Sequence, residues 1–123
     1  FMPLASRQQL IHYLYGLSKA DGHVHPSEIV TIEQIGLYMG ISSLDMNSMK
    51  AMHYRDSQSD YKILEIDERA TDDEVKKGYR KMALKFHPDK VAQEGVEVQK
   101  AATEKFKKVQ EAYENIKKKR RMN

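Results

Sequence analysis

Two apolar stripes separated by a proline constrain this chain more than any other feature in it. Val75, Tyr79, Met82 and Phe86 stand at i, i+4, i+7 and i+11, and Ala102, Phe106, Val109, Tyr113 and Ile116 repeat that spacing and carry it to i+14. Apolar residues three and four apart fall on one face of an α-helix, so each run predicts a helix with one buried side. Pro88 lies between them, and the residue before a proline avoids the α region, so the first helix has to stop near Phe86. Two helices with matching stripes are expected to pack antiparallel. Elsewhere few Val, Ile or Thr residues alternate with polar ones, and the predicted fold class is all-α.

Start and stop signals divide the rest. Thr71-Asp72-Asp73-Glu74 reads as a capping box, with three acids at the positive end of the helix dipole. Before it, Tyr61, Leu64 and Ile66 suggest a brief helix; after the proline, an extended loop over residues 91–98 contains Gly95. In the first half, a helix is expected from about Ser6 with Leu10, Leu14 and Leu17 on its inner face, ending before Asp21-Gly22. Pro26 suits the first position of a second helix, whose stripe is Ile29, Ile32, Gly36 and Met39 and whose stop is Gly40. Ser42, with Asp45 three residues on, caps a third helix reaching about Met52. The polar run Arg55-Asp56-Ser57-Gln58-Ser59 is the natural boundary, giving a helical domain over 1–54, a linker over 55–59, a second domain over 60–118 and a basic tail over 119–123.

Composition narrows the function classes. A chain of 123 residues with 40% apolar content can build one ordinary core or two small ones. With no cysteine, disulfides and thiolate metal sites are excluded, which fits a reducing compartment. No apolar run approaches the roughly 20 residues needed to cross a bilayer. The chain opens Phe1-Met2, so the expectation is a piece of a longer protein, cytoplasmic or on the cytoplasmic face of a membrane if an anchor lies upstream. The net charge of +3 conceals an asymmetry: residues 1–59 hold four basic and five acidic residues, net −1, and residues 60–123 hold 17 and 13, net +4. The second half is the one suited to an acidic partner.

On the helix after Thr71, the residues outside the apolar stripe include Lys76, Lys77, Arg80, Lys81 and Lys85, with Leu84 among them. They form a cationic face running toward His87-Pro88-Asp89-Lys90, a docking surface for an acidic protein patch. At this point the chain resembles the J-domain family, named after DnaJ. Three segments carry the resemblance in the family's order: Tyr61-Lys62-Ile63-Leu64-Glu65-Ile66, then Val75-Lys76-Lys77-Gly78-Tyr79-Arg80-Lys81-Met82-Ala83-Leu84-Lys85-Phe86-His87-Pro88-Asp89-Lys90, then Phe106-Lys107-Lys108-Val109-Gln110-Glu111-Ala112-Tyr113.

The resemblance implies a co-chaperone that is not itself an enzyme and needs no cofactor. His87, Pro88 and Asp89 would touch the nucleotide-binding domain and interdomain linker of a DnaK-class (heat-shock 70 family) chaperone and stimulate its ATP hydrolysis. Lys76, Lys77, Arg80 and Lys81 would steer the docking, while Tyr79 both packs and contacts; Leu84, Lys85 and Lys90 complete the surface. No proton transfer by His87 is implied; the action is differential binding to one state of the partner. Two departures stand out. Gly78 is mid-helix, where glycine costs about 1 kcal/mol relative to alanine, and so predicts a close contact or a local weakness. The family's usual segment after the third helix gives way to Lys117-Lys118-Lys119-Arg120-Arg121.

Leu14-Tyr15-Gly16-Leu17-Ser18-Lys19-Ala20-Asp21-Gly22 and Glu28 resemble the helix-loop-helix of TerB-like (tellurite resistance) domains, which precede the J-domain in DjlA-like proteins. The amino-terminal half would then be an incomplete TerB-like domain with an unknown protein partner. Asp21, His23, His25 and Glu28 raise a divalent metal as an alternative, but the loop lacks the acidic or amide residues an EF-hand needs at its third and fifth positions. The simpler reading makes Asp21 a turn residue and Glu28 a dipole partner, with no metal. Met39, Met46, Met49 and Met52 fill gaps in a small core or form an adaptable surface. Nucleic-acid binding by the basic carboxy-terminal helix and tail is the competing function; Glu104, Glu111 and Glu114 on the same helix, and the lack of an aromatic platform facing the cations, speak against specific binding. A hydrolase using His87 with Asp89 lacks a nucleophile and an oxyanion device.

Overall fold

A computed structural model of the chain describes residues 2–20, 22 and 25–122. Among them the elements are helical: α1 (Leu4–Lys19), α2 (Pro26–Tyr38), α3 (Ser43–His53), α4 (Ser59–Ile63), α5 (Asp72–Lys85), a 3-10 turn (Pro88–Val91) and α6 (Val96–Arg120).

The hairpin of α5 and α6 forms as its stripes require. Val75, Met82 and Phe86 from α5 and its end meet Val109, Ala112 and Ile116 of α6, and α4 closes the cluster with Ile63 and Leu64. The Thr71 capping box is complete: the Glu74 amide donates to Thr71 Oγ1 at 3.1 Å and the Thr71 amide to Glu74 Oε1 at 2.9 Å. Gly78 turns out to be a close contact, since a Cβ there would lie 2.8 Å from the Ile66 Cγ2 methyl.

Two boundaries move. The connection before α6 is shorter than residues 91–98, because the 3-10 turn takes up Pro88–Val91 and α6 starts at Val96. The expected basic tail at 119–123 is largely structure. Lys119 and Arg120 are helical, and Arg121 takes a left-handed conformation (φ 56°) that lets the Met122 amide reach back to the Lys117 carbonyl at 2.9 Å. That is a Schellman end, completed by Met122 packing on the core. Arg120 folds back over the Tyr61 ring, donating to the Tyr61 hydroxyl at 3.2 Å, to Asp72 at 3.0 Å and to the Glu68 carbonyl at 3.0 Å.

In the first half, α1 is rotated relative to its leucines. Its buried residues are Gln8, Ile11, Tyr15 and Ser18, while Leu10 and Leu14 are half-buried and Leu17 is 54% exposed. Positions 8, 11, 15 and 18 have helical spacing too, and the two polar ones find partners: Gln8 donates to Asp45 at 3.4 Å and Ser18 pairs with the Tyr54 hydroxyl. α2 begins at Pro26 and stops at Gly40, whose φ of 83° returns the Ile41 amide to the Gly36 carbonyl at 3.0 Å. Ser42 caps α3 by accepting from the Asp45 amide; the Asp45 carboxylate turns elsewhere, so only half of a capping box forms.

Packing does not follow the polar run at 55–59. Met46 and Met49 of α3 join Ile11, Tyr15, Ile32 and Ile41 in one cluster, while Ala51 and Met52 of the same helix belong to the α4–α5–α6 cluster. The run itself is tied up: Asp56 accepts from the Gln58 amide at 2.8 Å and from Lys62 at 3.1 Å, and Arg55 meets Asp60 at 2.6 Å. α1 also lies on α6. Glu104 accepts from His12 Nε2 at 2.8 Å, and His12 Nδ1 is 3.0 Å from His53 Nε2.

Candidate functional site

α5 is amphipathic to its last turn, so burying Val75, Gly78 and Met82 turns Lys77, Arg80 and Lys81 to solvent and leaves Lys76 partly exposed. Leu84 stands among these cations with 62% of its surface exposed, an apolar contact point inside a charged rim. Tyr79 is half-buried and stacks on Tyr113 of α6, ring centroids 4.2 Å apart and planes 6° from parallel.

The helix ends at Lys85, and Phe86 is buried beneath the turn. Its ring carries the ammonium of Lys105 at 5.0 Å from the centroid. Lys105 is only 3% exposed, and burial pushes its ammonium down to about 8. His87 is extended, and Pro88 opens the 3-10 turn, where its missing N–H costs nothing. The Asp89 amide donates to His87 Nδ1 at 3.2 Å, so in the neutral ring the proton sits on Nε2. The ring also meets Phe106 edge-on, with centroids 5.3 Å apart. His87 is thus fixed by backbone and ring contacts. The Asp89 side chain is 88% exposed, and Lys90 is exposed beside it. Such a tip presents an imidazole N–H and a carboxylate to a partner from a fixed frame.

Of the residues read from the sequence, Lys76, Lys77, Tyr79, Arg80, Lys81 and Leu84 lie along α5, and His87, Pro88, Asp89 and Lys90 lie at its end. Lys85 departs from them. Its ammonium turns toward the amino-terminal half, paired with Asp45 of α3 and 3.8 Å from Glu65. Asp45, Glu65 and Lys105, none of them singled out from the sequence, converge there. Asp45 signalled only a helix cap, Glu65 stood only within the segment Tyr61 to Ile66, and nothing in the sequence marked Lys105. Asp21 and His23 of the metal alternative lie outside the described residues; Glu28 is exposed in the first turn of α2 and His25 precedes it. Among the described residues, no three His, Asp or Glu side chains are grouped to hold a metal ion.

Comparison with known proteins agrees with this geometry. The chain is 48% identical over 54 residues to the chaperone protein DnaJ of Fusobacterium nucleatum, covering 44% of this chain and 14% of that protein. It is 53% identical over 53 residues to the human DnaJ homolog subfamily C member 7, covering 43% and 11%. With the Drosophila melanogaster DnaJ protein homolog 1 the identity is 52% over 54 residues, covering 44% and 14%. The chain therefore spans only a small part of the length of these relatives. No solved structure matches it. Residues 59–123, more than half of the chain, match the DnaJ domain, and the chain belongs to that family.

Proposed function

We propose that this chain is a co-chaperone module that docks on a DnaK-class chaperone through α5 and the His87-Pro88-Asp89 tip and stimulates its ATP hydrolysis. The observation that carries the reading is the placement of exposed Lys77, Arg80, Lys81 and Leu84 along the helix that ends at a tip held by the His87–Asp89 and His87–Phe106 contacts. Cations along the approach speed encounter with an acidic patch, and the fixed tip makes the contact specific. Arg120, the cation nearest the helix end, is used by the fold itself, which weakens the case for a free basic tail binding nucleic acid. Residues 1–54 are read as TerB-like in the manner of DjlA-like proteins, supported by the packing of α1, α2 and α3 around Ile11, Tyr15 and Ile32. A cytoplasmic location fits the absence of cysteine; among the described residues no helix is long and apolar enough to cross a membrane.

In single-turnover assays the full chain is expected to accelerate ATP hydrolysis by a DnaK-class chaperone. His87→Gln is expected to abolish the acceleration with an unchanged helical circular-dichroism spectrum. A wild-type chain without effect on hydrolysis overturns the proposal.

A further inference from the structure

Glu65 sits where a glycine would be easier. α4 closes with a Schellman end: the Ile66 amide reaches the Tyr61 carbonyl and the Glu65 amide the Lys62 carbonyl, both at 3.0 Å, with Glu65 at φ 59°. α2 closes the same way with Gly40 in that place. A non-glycine residue held left-handed carries strain, and such strain gathers where a side chain is needed in one position. Here the strained residue carries a carboxyl that is 5% exposed, with Oε2 buried and making no hydrogen bond.

What Glu65 faces explains the cost. Asp45 of α3 stands against it, and the ammonium of Lys85, from the last turn of α5, lies between the two carboxyls. Lys81 of α5 adds a second, more distant cation, Lys105 of α6 acts on Asp45, and α1 contributes the amide of Gln8. We propose that Asp45 and Glu65 are positioning residues for the His87-Pro88-Asp89 tip: they draw Lys85 off the docking face and pin the end of α5 to the amino-terminal half. The proposal rests on the docking function given above and adds a regulation to it.

A proton is part of the device. Burial, then a hydrogen bond with Asp45, then its charge raise the Glu65 carboxyl to about 7. Burial also pushes Asp45 up, but the hydrogen bonds from Glu65 and Lys85 outweigh it and hold Asp45 below its usual range. Oε2 of Glu65 is buried, makes no hydrogen bond and lies 3.8 Å from the Lys85 ammonium, so a proton on this carboxyl removes a charge that the site does not satisfy by hydrogen bonding. Below pH 7 the pair carries one negative charge against Lys85 and the latch is closed. Above it two carboxylates repel across one ammonium and the latch loosens.

The experiment uses the full chain. Amide nuclear magnetic resonance shifts of residues 85–90 are followed from pH 5.5 to 8.5, with the ring protons of His12, His53 and His87 tracked separately. Wild type is expected to show a step near pH 7 at these amides. Glu65→Gln, which keeps the shape and a donor but cannot ionise, removes the step. Asp45→Asn, by removing the facing charge, moves the step to lower pH and guards against a Glu65→Gln chain that fails to fold. Stimulation of the chaperone, taken as the ratio of variant to wild type at each pH, is expected to change severalfold between pH 6 and pH 8. A flat wild-type amide profile, or a step that persists in Glu65→Gln, overturns the proposal. A wild type that shows the step but stimulates no chaperone overturns the docking function and leaves the latch standing.

Discussion

The two halves of the molecule use the same helix ends but cover their apolar surface differently. α5 and α3 open on side-chain caps, α1, α2, α4 and α6 start without one, and α2, α4 and α6 end in Schellman turns, so caps are spread over both halves. Apolar surface is not. Of the large apolar side chains left exposed, Met2, Leu4, Tyr13, Leu17, Val30, Ile35, Leu37, Tyr38 and Leu44 belong to the first half, against Leu84 and Val96 in the second. A stripe that is fully covered makes a helix stable by packing, and one covered in part leaves it dependent on neighbours. The amino-terminal half therefore stands on α3, whose Ala51 and Met52 are rooted in the DnaJ core.

Damage to each core in turn should separate the two halves. Met82 has no exposed surface, so Met82→Ala is expected to cost roughly 2–5 kcal/mol. Amide hydrogen exchange should accelerate in both halves, because α3 loses its footing. Ile32→Ala is expected to open α1 to α3 while α5 and α6 stay protected. Equal loss of protection in both halves of Ile32→Ala would show that the DnaJ half depends on the amino-terminal half as well.

Acid tests the seam from the other side. The His12–His53 bond needs one of the two facing nitrogens free of its proton, and burial, then the facing His12 charge, push His53 down to about 4, while burial lowers His12 as well. In the unfolded chain both titrate near 6.5. The folded form binds fewer protons between those values, so stability present above pH 6.5 is lost as pH falls toward 4. The expected loss is roughly 1–2 kcal/mol after solvent screening, read from denaturation midpoints at pH 7 and pH 5. His53→Phe should flatten that dependence.

The hairpin was legible because its information is periodic and local. The stripes from Val75 to Ile116, the Thr71 box and Pro88 each act within a turn or two of themselves. The orientation of α1 was not legible, since its inner face carries Gln8 and Ser18, whose partners Asp45 and Tyr54 are 37 and 36 residues away. Lys85 shows the same limit at the site. Nothing within a turn of it distinguishes it from Lys81, and only the tertiary approach of Asp45 and Glu65 turns it inward. The end of α6 hid for another reason: Arg121 fills a left-handed position that glycine usually marks.

A smaller effect probes how tightly the DnaJ half is packed. Gly78→Ala gains about 1 kcal/mol of helix propensity. Against that, its Cβ would meet the Ile66 methyl at 2.8 Å and the Leu64 carbonyl at 3.3 Å, and overpacking of this kind costs about 1–3 kcal/mol. A net loss of about 1 kcal/mol is expected by urea denaturation, and a net gain would mean that α4 and α5 have slack between them.

The smallest effect belongs to the other half. Tyr15 is fully buried between His53 and Tyr54, and its hydroxyl has no hydrogen-bond partner. Burial raises the phenol far above its usual range, which leaves it neutral near neutral pH. A buried hydroxyl without a partner has lost its water and gained nothing, so removing it does not leave a second group stranded. Tyr15→Phe is therefore expected to be neutral or to stabilise by up to about 1 kcal/mol, whereas removing a satisfied hydroxyl costs that much. The Ser18–Tyr54 pair supplies the control beside it: Tyr54→Phe strands the buried Ser18 oxygen and should cost about 1 kcal/mol in the same titration. Opposite signs for two tyrosines in contact would locate the looseness of this half in unmatched polar atoms rather than in missing apolar area.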